Sequence, residues 1–350
     1  MSMREVKKRI LPLEEPYYKT NPFFTNRLAI MLPKINVEEW LLDEICNFWI
    51  NKNYDERGDY WGDLLYSSEY RFCPYIVKTA IPHVLIQSKW KNNILELIMD
   101  IIDSEGYAYL NVNMSYIKKY NMPKEANLIH DALVYGYDTE EQIVYMADFF
   151  HGIYQLAEIS FEEFVEGFEK VSLSHQEDFL GGVNILYLQE TDVPYKFNLK
   201  KCANGLLDFL NSDNTQIHSI LNELDNKDMV YYGISCYDGF VEYFEQEQKD
   251  IESIVELEYR PIHYFYVSKE LMRRRFEFLV KEHILEPDEE LLEMFKSIEH
   301  KWLQLRNLIF IYNKGRRPVF FERAYKILQE TKQMDKEAVT ILYQKIQKVI

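Results

Sequence analysis

The sequence predicts an α+β fold in which a mixed first domain is followed by an all-helical domain. Between residues 107 and 159, alternating apolar and polar residues are typical of β-strands, whereas from Leu199 onward the apolar residues recur with helical spacing. The pattern is interrupted near Pro194, between these two parts. We therefore expect a first domain over residues 1–195 and a helical domain over residues 196–350.

Length, composition and charge limit the classes of function. The chain has 350 residues, of which 47% are hydrophobic and 15% aromatic, so it is long enough for two cores and has the composition of an ordered protein. Its net charge of −17 argues against nucleic acid or an anionic membrane surface as a partner. The segment Met1–Leu11 lacks the apolar stretch of a signal peptide, and no apolar run suits a membrane span. A cytoplasmic location is expected.

The first domain is predicted to open with two helices and a loop. A helix over Phe23–Leu32 is favoured because Asn21 suits the N-cap and Pro22 the first turn. Apolar periodicity predicts a second helix over Asn36–Trp49. The polar and aromatic segment Asn51–Tyr66 is expected to form an irregular loop.

The strongest local pattern predicts an antiparallel hairpin. The β-rich runs Asn127–Tyr137 and Gln142–Phe149 are joined by four polar residues, and a strand over Tyr107–Met114 precedes them. In such a pairing, His130 and Asp148 fall near the same end of the two strands. Their side chains are therefore expected to meet.

Further elements complete the prediction. A strand over Ile153–Ile159 leads into a helix that Ser160 and Glu163 begin as a capping box. The second half is expected to be helical, with a break near Met334 in the last segment. The predicted helical segments are 199–210, 215–224, 237–247, 251–257, 261–280, 288–314 and 317–349.

A histidine opens a strand that ends in Gly-Tyr-Asp, an aspartate closes the next strand, and Ser-x-x-Glu-Phe begins a helix. The segments are His130–Asp138, Val144–Asp148 and Ile159–Phe164. This order is similar to the second half of papain-like cysteine domains. It resembles the peptidase domains of bacteriocin-processing peptide exporters and, more closely, butirosin-biosynthesis protein H and related bacterial proteins of peptide and polyketide antibiotic clusters. The resemblance covers about residues 10–175; Glu258–His263 and Trp302–Asn307 resemble the C-terminal part of such proteins more weakly.

The resemblance implies a papain-like fold and a defined chemistry. A cysteine thiolate at a helix N-terminus is stabilised by the helix dipole, a histidine takes its proton, and an aspartate orients the histidine. The activity implied for the butirosin relative is transfer of an acyl group from a carrier-protein thioester to an amine. Carried over by motif, His130 would be the base and Asp148 its orienting carboxylate. No phosphate-binding or dinucleotide motif is present, so no cofactor is predicted.

The nucleophile is missing from this pattern. Phe23 or Phe24 stands where the family has its cysteine, and Thr25 faces a different side of the helix. Cys46 and Cys73 are expected to be buried, inert thiols. The leading hypothesis is a papain-like pseudoenzyme that keeps the histidine-aspartate pair and acts by binding. A working acyltransferase or amidohydrolase, with Cys73 or an unidentified residue as nucleophile, is the alternative.

Other polar residues allow two interpretations each. Asn111 and Asn113 line a cleft or form the polar face of an edge strand, and Thr25 is a further candidate for the cleft. The run Arg273–Arg275 is typical of an ion-paired helix face, or it binds an acidic carrier protein or a phosphopantetheine phosphate. His151 lacks a third ligand for zinc, so no metal is predicted. The expected partners are an acyl carrier protein or a small amine or peptide ligand.

Overall fold

The computed structural model describes residues 6–52, 61–66, 73–90, 93–171, 180–189, 195–215, 230–249 and 256–350, and it is of mixed α/β type. The strands are Lys8–Ile10 (β1), Ile45–Asn51 (β2), Gly62–Tyr66 (β3), Ile76–Pro82 (β4), Gly106–Asn113 (β5), Ile129–Asp138 (β6), Ile143–Phe150 (β7), Ile153–Ser160 (β8), Gly182–Leu188 (β9) and Val230–Tyr232 (β10). The helices are Pro22–Met31 (α1), Glu38–Glu44 (α2), His83–Trp90 (α3), Ile94–Asp103 (α4), Phe161–Glu169 (α5), Leu199–Asn211 (α6), Cys236–Lys249 (α7), Arg260–Lys281 (α8), Glu289–Gly315 (α9) and Val319–Gln347 (α10). None of the described helices combines the length and apolar character that crossing a bilayer requires.

The chain divides into two compact units, and each is made of two separate segments, whereas the prediction had two continuous domains. The first unit is Met1–Val37 with Cys73–Val193, and the second is Glu38–Phe72 with Pro194–Ile350. The boundary at Pro194 lies next to the predicted division after residue 195. The segment 38–72 differs from the prediction because its strand β2 pairs with β10, from the second half of the chain.

The first unit contains an antiparallel sheet with the strand order β4-β9-β5-β6-β7-β8, and β1 pairs with the end of β6. The predicted hairpin is present as β6 and β7, with Leu133 opposite Ala147. On its other side, β6 pairs with β5, and Val112 lies opposite His130. The hairpin thus lies in the interior of the sheet, with β5 on one side and β8 on the other.

Two predicted caps hold helices of the first unit in place. The side-chain oxygen of Asn21 accepts a hydrogen bond from the Phe24 N–H at 2.9 Å, so α1 begins where the sequence indicated. The hydroxyl of Ser160 accepts one from the Glu163 N–H at 3.3 Å and begins α5. Both helices start at polar residues because the first backbone N–H groups of a helix have no partner within it.

The second unit contains helices α6 to α10, but it is not all-helical. Strands β10, β2 and β3 form a three-stranded sheet. The predicted helix over Asn36–Trp49 was wrong beyond Glu44, because the β-branched and aromatic run that follows is paired on both sides as β2. The predicted loop over Asn51–Tyr66 contains β3.

Helix α10 runs through Met334 without interruption, so the predicted break there was wrong. No proline or glycine lies within α10, and a helix has no local reason to end at methionine. Residues 216–224 and 251–255 of two further predicted helices lie outside the described residues.

An ion pair is sealed within the aromatic core of the second unit. The Nζ atom of Lys269 lies 2.7 Å from Oδ2 of Asp335, and these side chains are 1% and 0% exposed. The hydroxyl of Tyr237 donates to the same oxygen at 2.9 Å and accepts from the indole N–H of Trp302 at 3.0 Å. The ammonium group also lies 4.1 Å from the ring centroid of Phe265, so the charge is held by polar and aromatic groups together.

Candidate functional site

The candidate site is built from the ends of β6 and β7. Nδ1 of His130 lies 2.8 Å from Oδ2 of Asp148. In the antiparallel register Leu133 pairs with Ala147. His130 lies three residues before Leu133, and Asp148 lies one residue after Ala147. Because side chains alternate along a strand, both point to the same face of the sheet. The two residues that the motif singled out are therefore in hydrogen-bond contact.

The Asp148 carboxylate is buried and well satisfied. It is 0% exposed, and its Oδ2 also accepts a hydrogen bond from the hydroxyl of Tyr120. Its Oδ1 accepts one from the Phe149 N–H at 2.7 Å. Burial and the nearby Asp148 charge raise the pKa of the Tyr120 phenol well above its usual value, so this hydroxyl remains a donor. Three donors thus fix the carboxylate that holds the imidazole.

This arrangement defines the chemistry of the imidazole. A carboxylate accepts hydrogen bonds, so Nδ1 of His130 donates to Asp148 and Nε2 is the nitrogen that can accept a proton or a ligand hydrogen. The His130 side chain is 29% exposed, whereas Asp148 is sealed. The pair therefore has one buried, orienting end and one end that a ligand can reach.

Helix α1 contacts the other face of β6. The hydroxyl of Tyr109 hydrogen-bonds to the Asp131 carboxyl, and the ring of Phe23 lies 6.5 Å from the Tyr109 ring. Because strand side chains alternate, Asp131 points to the face opposite His130. The Phe23 ring therefore lies on the Asp131 side of the strand.

The residues at the start of α1, where the nucleophile was predicted, make packing contacts and local hydrogen bonds. Phe24 is 2% exposed, and Thr25 is fully buried with its hydroxyl accepting from the Thr20 N–H at 3.2 Å. The Phe23 ring lies under the guanidinium of Arg27, 3.2 Å from its Cζ. Thr25 therefore serves the local fold of α1 and was not a cleft residue, contrary to the prediction.

Cys73 lies at the wrong end of the sheet to serve His130. It precedes β4, in which Ile76 pairs with Leu188 of β9. The neighbouring residue of β9, Tyr187, pairs with Gly106, the first residue of β5. His130 pairs with Val112, six residues along β5 from Gly106, which corresponds to about 20 Å of strand. The Cys73 thiol contacts the Met31 sulfur at 3.7 Å, at the last residue of α1. The alternative with Cys73 as nucleophile is therefore wrong.

Cys46 lies in β2 of the second unit and is buried, as are the other three cysteines. Its thiol lies 3.6 Å from the carbonyl oxygen of Asp43. A buried thiol of this kind packs as a small apolar side chain, which agrees with the predicted inert role.

Asn111 and Asn113 are buried rather than exposed in a cleft. Asn113 is 0% exposed; its amide donates to the Asn127 side chain at 2.8 Å and its oxygen accepts from the Ser115 N–H at 3.1 Å. Asn111 is 2% exposed and lies opposite Asp131 in the β5–β6 pairing. Asn113 thus fixes the turn after β5, and the cleft prediction for both residues was wrong.

Asp131 is a titratable residue that the sequence reasoning missed. Burial, assisted by the nearby Asp148 charge, raises its pKa to about 7, while the positive charge of Arg27 acts in the opposite direction. The carboxyl also accepts a hydrogen bond from the hydroxyl of Tyr109. An acidic residue within an otherwise apolar strand was the available signal, and it was overlooked because His130 beside it carried the motif.

The arginine run Arg273–Arg275 is already occupied by partners within the second unit. Those partners are Glu277 and Glu299 for Arg273, Glu38 for Arg274, and the carbonyl oxygens of Leu42 and Ile45 for Arg275. The ion-paired interpretation is therefore correct for Arg273 and Arg274, whereas Arg275 is buried and donates to backbone carbonyls. The docking interpretation loses its support.

His151 lies in the turn between β7 and β8, with a positive φ of 53°. Within the ranges that the structure describes, no three or more His, Cys, Asp or Glu side chains gather in a way that could hold a metal ion. His151 therefore acts as a turn residue in the described structure.

No family model matches the sequence, and the search of curated proteins gave no match. The functional assignment accordingly depends on the geometry of the site.

Proposed function

We propose that the first unit is a papain-like domain that has lost its nucleophile and acts by binding, in bacterial peptide or polyketide antibiotic biosynthesis. His130 and Asp148 are the retained polar pair. The ligand is a peptide, an amine or a carrier-bound acyl group that forms a hydrogen bond with the exposed side of the imidazole.

The observation that carries this proposal is the contact of 2.8 Å between Nδ1 of His130 and Oδ2 of Asp148. A carboxylate in this position orients the ring and stabilises its protonated form, as in histidine-dependent acyl-transfer sites. The three donors around Asp148 keep this orientation fixed without a ligand. Such preorganisation favours recognition as well as catalysis.

Binding is favoured over thiol catalysis by what stands at the start of α1. Phe23 and Phe24 have no nucleophilic atom, and the Thr25 hydroxyl is buried. Cys73 lies near the far end of the same helix. A domain with this arrangement keeps the base and its orienting group but lacks the atom that would form the covalent intermediate.

Restoring the nucleophile tests the proposal directly. We would prepare Phe23→Cys and Phe24→Cys in the full chain and measure alkylation by iodoacetamide at about pH 6, where only an activated thiolate reacts fast. One of the two variants should react at least about tenfold faster than a cysteine placed at the exposed Tyr17. Adding His130→Ala should remove this advantage, because the imidazolium no longer stabilises the thiolate.

Two outcomes contradict the proposal. If alkylation of both variants is unaffected by His130→Ala, the start of α1 does not face the imidazole and the papain-like assignment fails. If the unmodified protein is alkylated rapidly at about pH 6 in a manner that depends on His130, a native nucleophile exists and the protein is an enzyme.

Ligand binding is measured separately from thiol reactivity. The imidazole proton resonances of His130 should shift on titration with butylamine, with a short peptide or with an N-acetylcysteamine thioester, and Asp148→Asn should weaken the effect. Lack of a shift with all three probes would remove the binding role.

A further inference from the structure

Helices α8 and α9 bring together two sequence motifs that the proposed function does not use. These are Glu258–His263 and Trp302–Asn307. Nη1 of Arg306 lies 3.3 Å from Nδ1 of His263. Since a guanidinium can only donate, Nδ1 accepts, and the imidazole in this contact is neutral with its proton on Nε2. The two motifs therefore meet in one polar contact between the helices.

Aromatic rings border this contact on both helices. Tyr259, His263 and Tyr266 follow one another along α8 at helical spacing, and Phe310 lies one turn after Arg306 on α9. The Tyr259 and Phe310 rings are 5.0 Å apart, and the Arg306 guanidinium lies 5.1 Å from the Tyr266 ring centroid. Phe310 is 40% exposed. The Arg306 guanidinium thus lies among aromatic rings on a partly exposed surface of α8 and α9.

Arg306 differs from neighbouring arginines in its partners. Among the described residues no carboxylate lies within ion-pair distance of it, and its buried Nε has no hydrogen-bond partner. Its Nη2 makes only a long contact of 3.4 Å to Asn307. By contrast, Arg260 is paired with both oxygens of Glu258. In a chain of net charge −17, an arginine left without a carboxylate calls for a physical explanation.

Two carboxylates on α8 and α9 interact with other side chains. Glu299 accepts from Nε of Arg273 at 2.5 Å. Glu270 lies beside Tyr266, where burial and the charge of Glu299 raise its pKa. Neither carboxylate therefore pairs with Arg306 in the described part of the chain.

We propose that Arg306 and His263 form a binding site for an oxyanion, a carboxylate or a phosphate, whose apolar body packs on Tyr259 and Phe310. The guanidinium supplies N–H donors in a plane, which suits both oxyanions. His263 holds the guanidinium in place through its Nδ1 atom. The site lies within the second unit and is independent of the function proposed for the first.

The test uses the full chain and two fluorinated probes, 4-fluorophenylacetate and 4-fluorophenyl phosphate, observed by fluorine NMR at constant ionic strength. Arg306→Gln should weaken binding of the recognised probe by about tenfold or more, because a charge-assisted hydrogen bond is lost. Arg323→Gln, an equal charge change at an exposed residue of α10, should leave binding within about twofold. Arg306→Lys keeps the charge and should give an intermediate loss.

The result also identifies the source of the anion. Binding of the phenylacetate alone indicates a carboxylate ligand, and binding of the phenyl phosphate alone indicates a phosphorylated one. The proposal is overturned if neither probe binds, or if Arg306→Gln and Arg323→Gln weaken binding equally. Thermal unfolding of each variant shows whether it is folded, and Arg306→Lys serves if Arg306→Gln is not.

Discussion

Each unit contains a buried aspartate that accepts hydrogen bonds from a basic side chain and from a tyrosine. In the first unit Asp148 accepts from His130 and Tyr120, and in the second Asp335 accepts from Lys269 and Tyr237. The difference lies in access to solvent. The His130 side chain is 29% exposed, whereas that of Lys269 is 1% exposed.

The difference in exposure distinguishes the pair His130–Asp148 from the enclosed pair Lys269–Asp335. A ligand can reach the outer nitrogen of His130, but the Lys269 ammonium is enclosed by aromatic rings such as Phe209 and Phe265. Burial also lowers the pKa of Lys269, with the charge of Asp335 acting against it. Similar polar groups are thus enclosed in the core of one unit and leave a partly exposed imidazole in the other.

The largest effect is expected from Lys269→Met. Removing the lysine leaves Asp335 buried without its counter-charge, which typically costs about 3–5 kcal/mol. Urea-induced unfolding followed by tryptophan fluorescence measures the loss, since Trp302 lies beside the pair.

The matched control is Lys269→Met combined with Asp335→Leu. The Oδ1 of Asp335 has no hydrogen-bond partner among the described residues, so replacing both charged groups with apolar ones should recover most of the stability. If the double variant is no more stable than Lys269→Met, the ion pair contributes through more than mutual neutralisation.

The next effect depends on pH and concerns Asp131. Its pKa is raised from 3.8 to about 7 in the folded protein, so the folded state binds the proton more tightly than the unfolded state. The contribution of Asp131 to stability is therefore most favourable below about pH 4, falls between about pH 4 and 7, and carries the full penalty above that range. Asp131→Asn should remove this dependence and raise the free energy of unfolding at about pH 8 by up to about 4 kcal/mol.

Urea unfolding at about pH 5 and 8 checks this prediction, and the two proteins should differ much more at the higher pH. The asparagine oxygen can still accept from Tyr109, so the contact in the folded state is kept. An equal stability change at both pH values would mean that Asp131 is ionised throughout.

The sequence predicted the hairpin and the contact between His130 and Asp148, because alternation and turn residues determine strand pairing locally. It did not predict that Ile45–Asn51 becomes a strand, because its partners lie at β3 and at Val230–Tyr232, far along the chain. Nor did it distinguish Arg306 from the run Arg273–Arg275. Apart from Glu277, the partners of those arginines come from other elements of the fold, and spacing along one helix carries no information about them.

Two tyrosine variants sharpen the comparison between the units. Tyr237→Phe removes the donor to Asp335 and the acceptor of the Trp302 indole, and it should cost about 1–3 kcal/mol. Tyr120→Phe leaves Asp148 with its other two donors and should cost about 1 kcal/mol. Urea unfolding measures both, and a larger loss for Tyr120→Phe would show that the first site is the more structural of the two.

The smallest stability change is expected from His130→Ala. The imidazole is partly exposed, and Asp148 keeps the Tyr120 hydroxyl and the Phe149 N–H after its removal, so the loss should stay below about 1 kcal/mol. The same change should abolish the activated reactivity of a cysteine placed at position 23 or 24. A group that costs little to remove and yet controls the chemistry beside it is retained for binding or reaction. If His130→Ala instead destabilises the protein as strongly as Tyr237→Phe, the pair in the first unit is structural, as Lys269 and Asp335 are in the second.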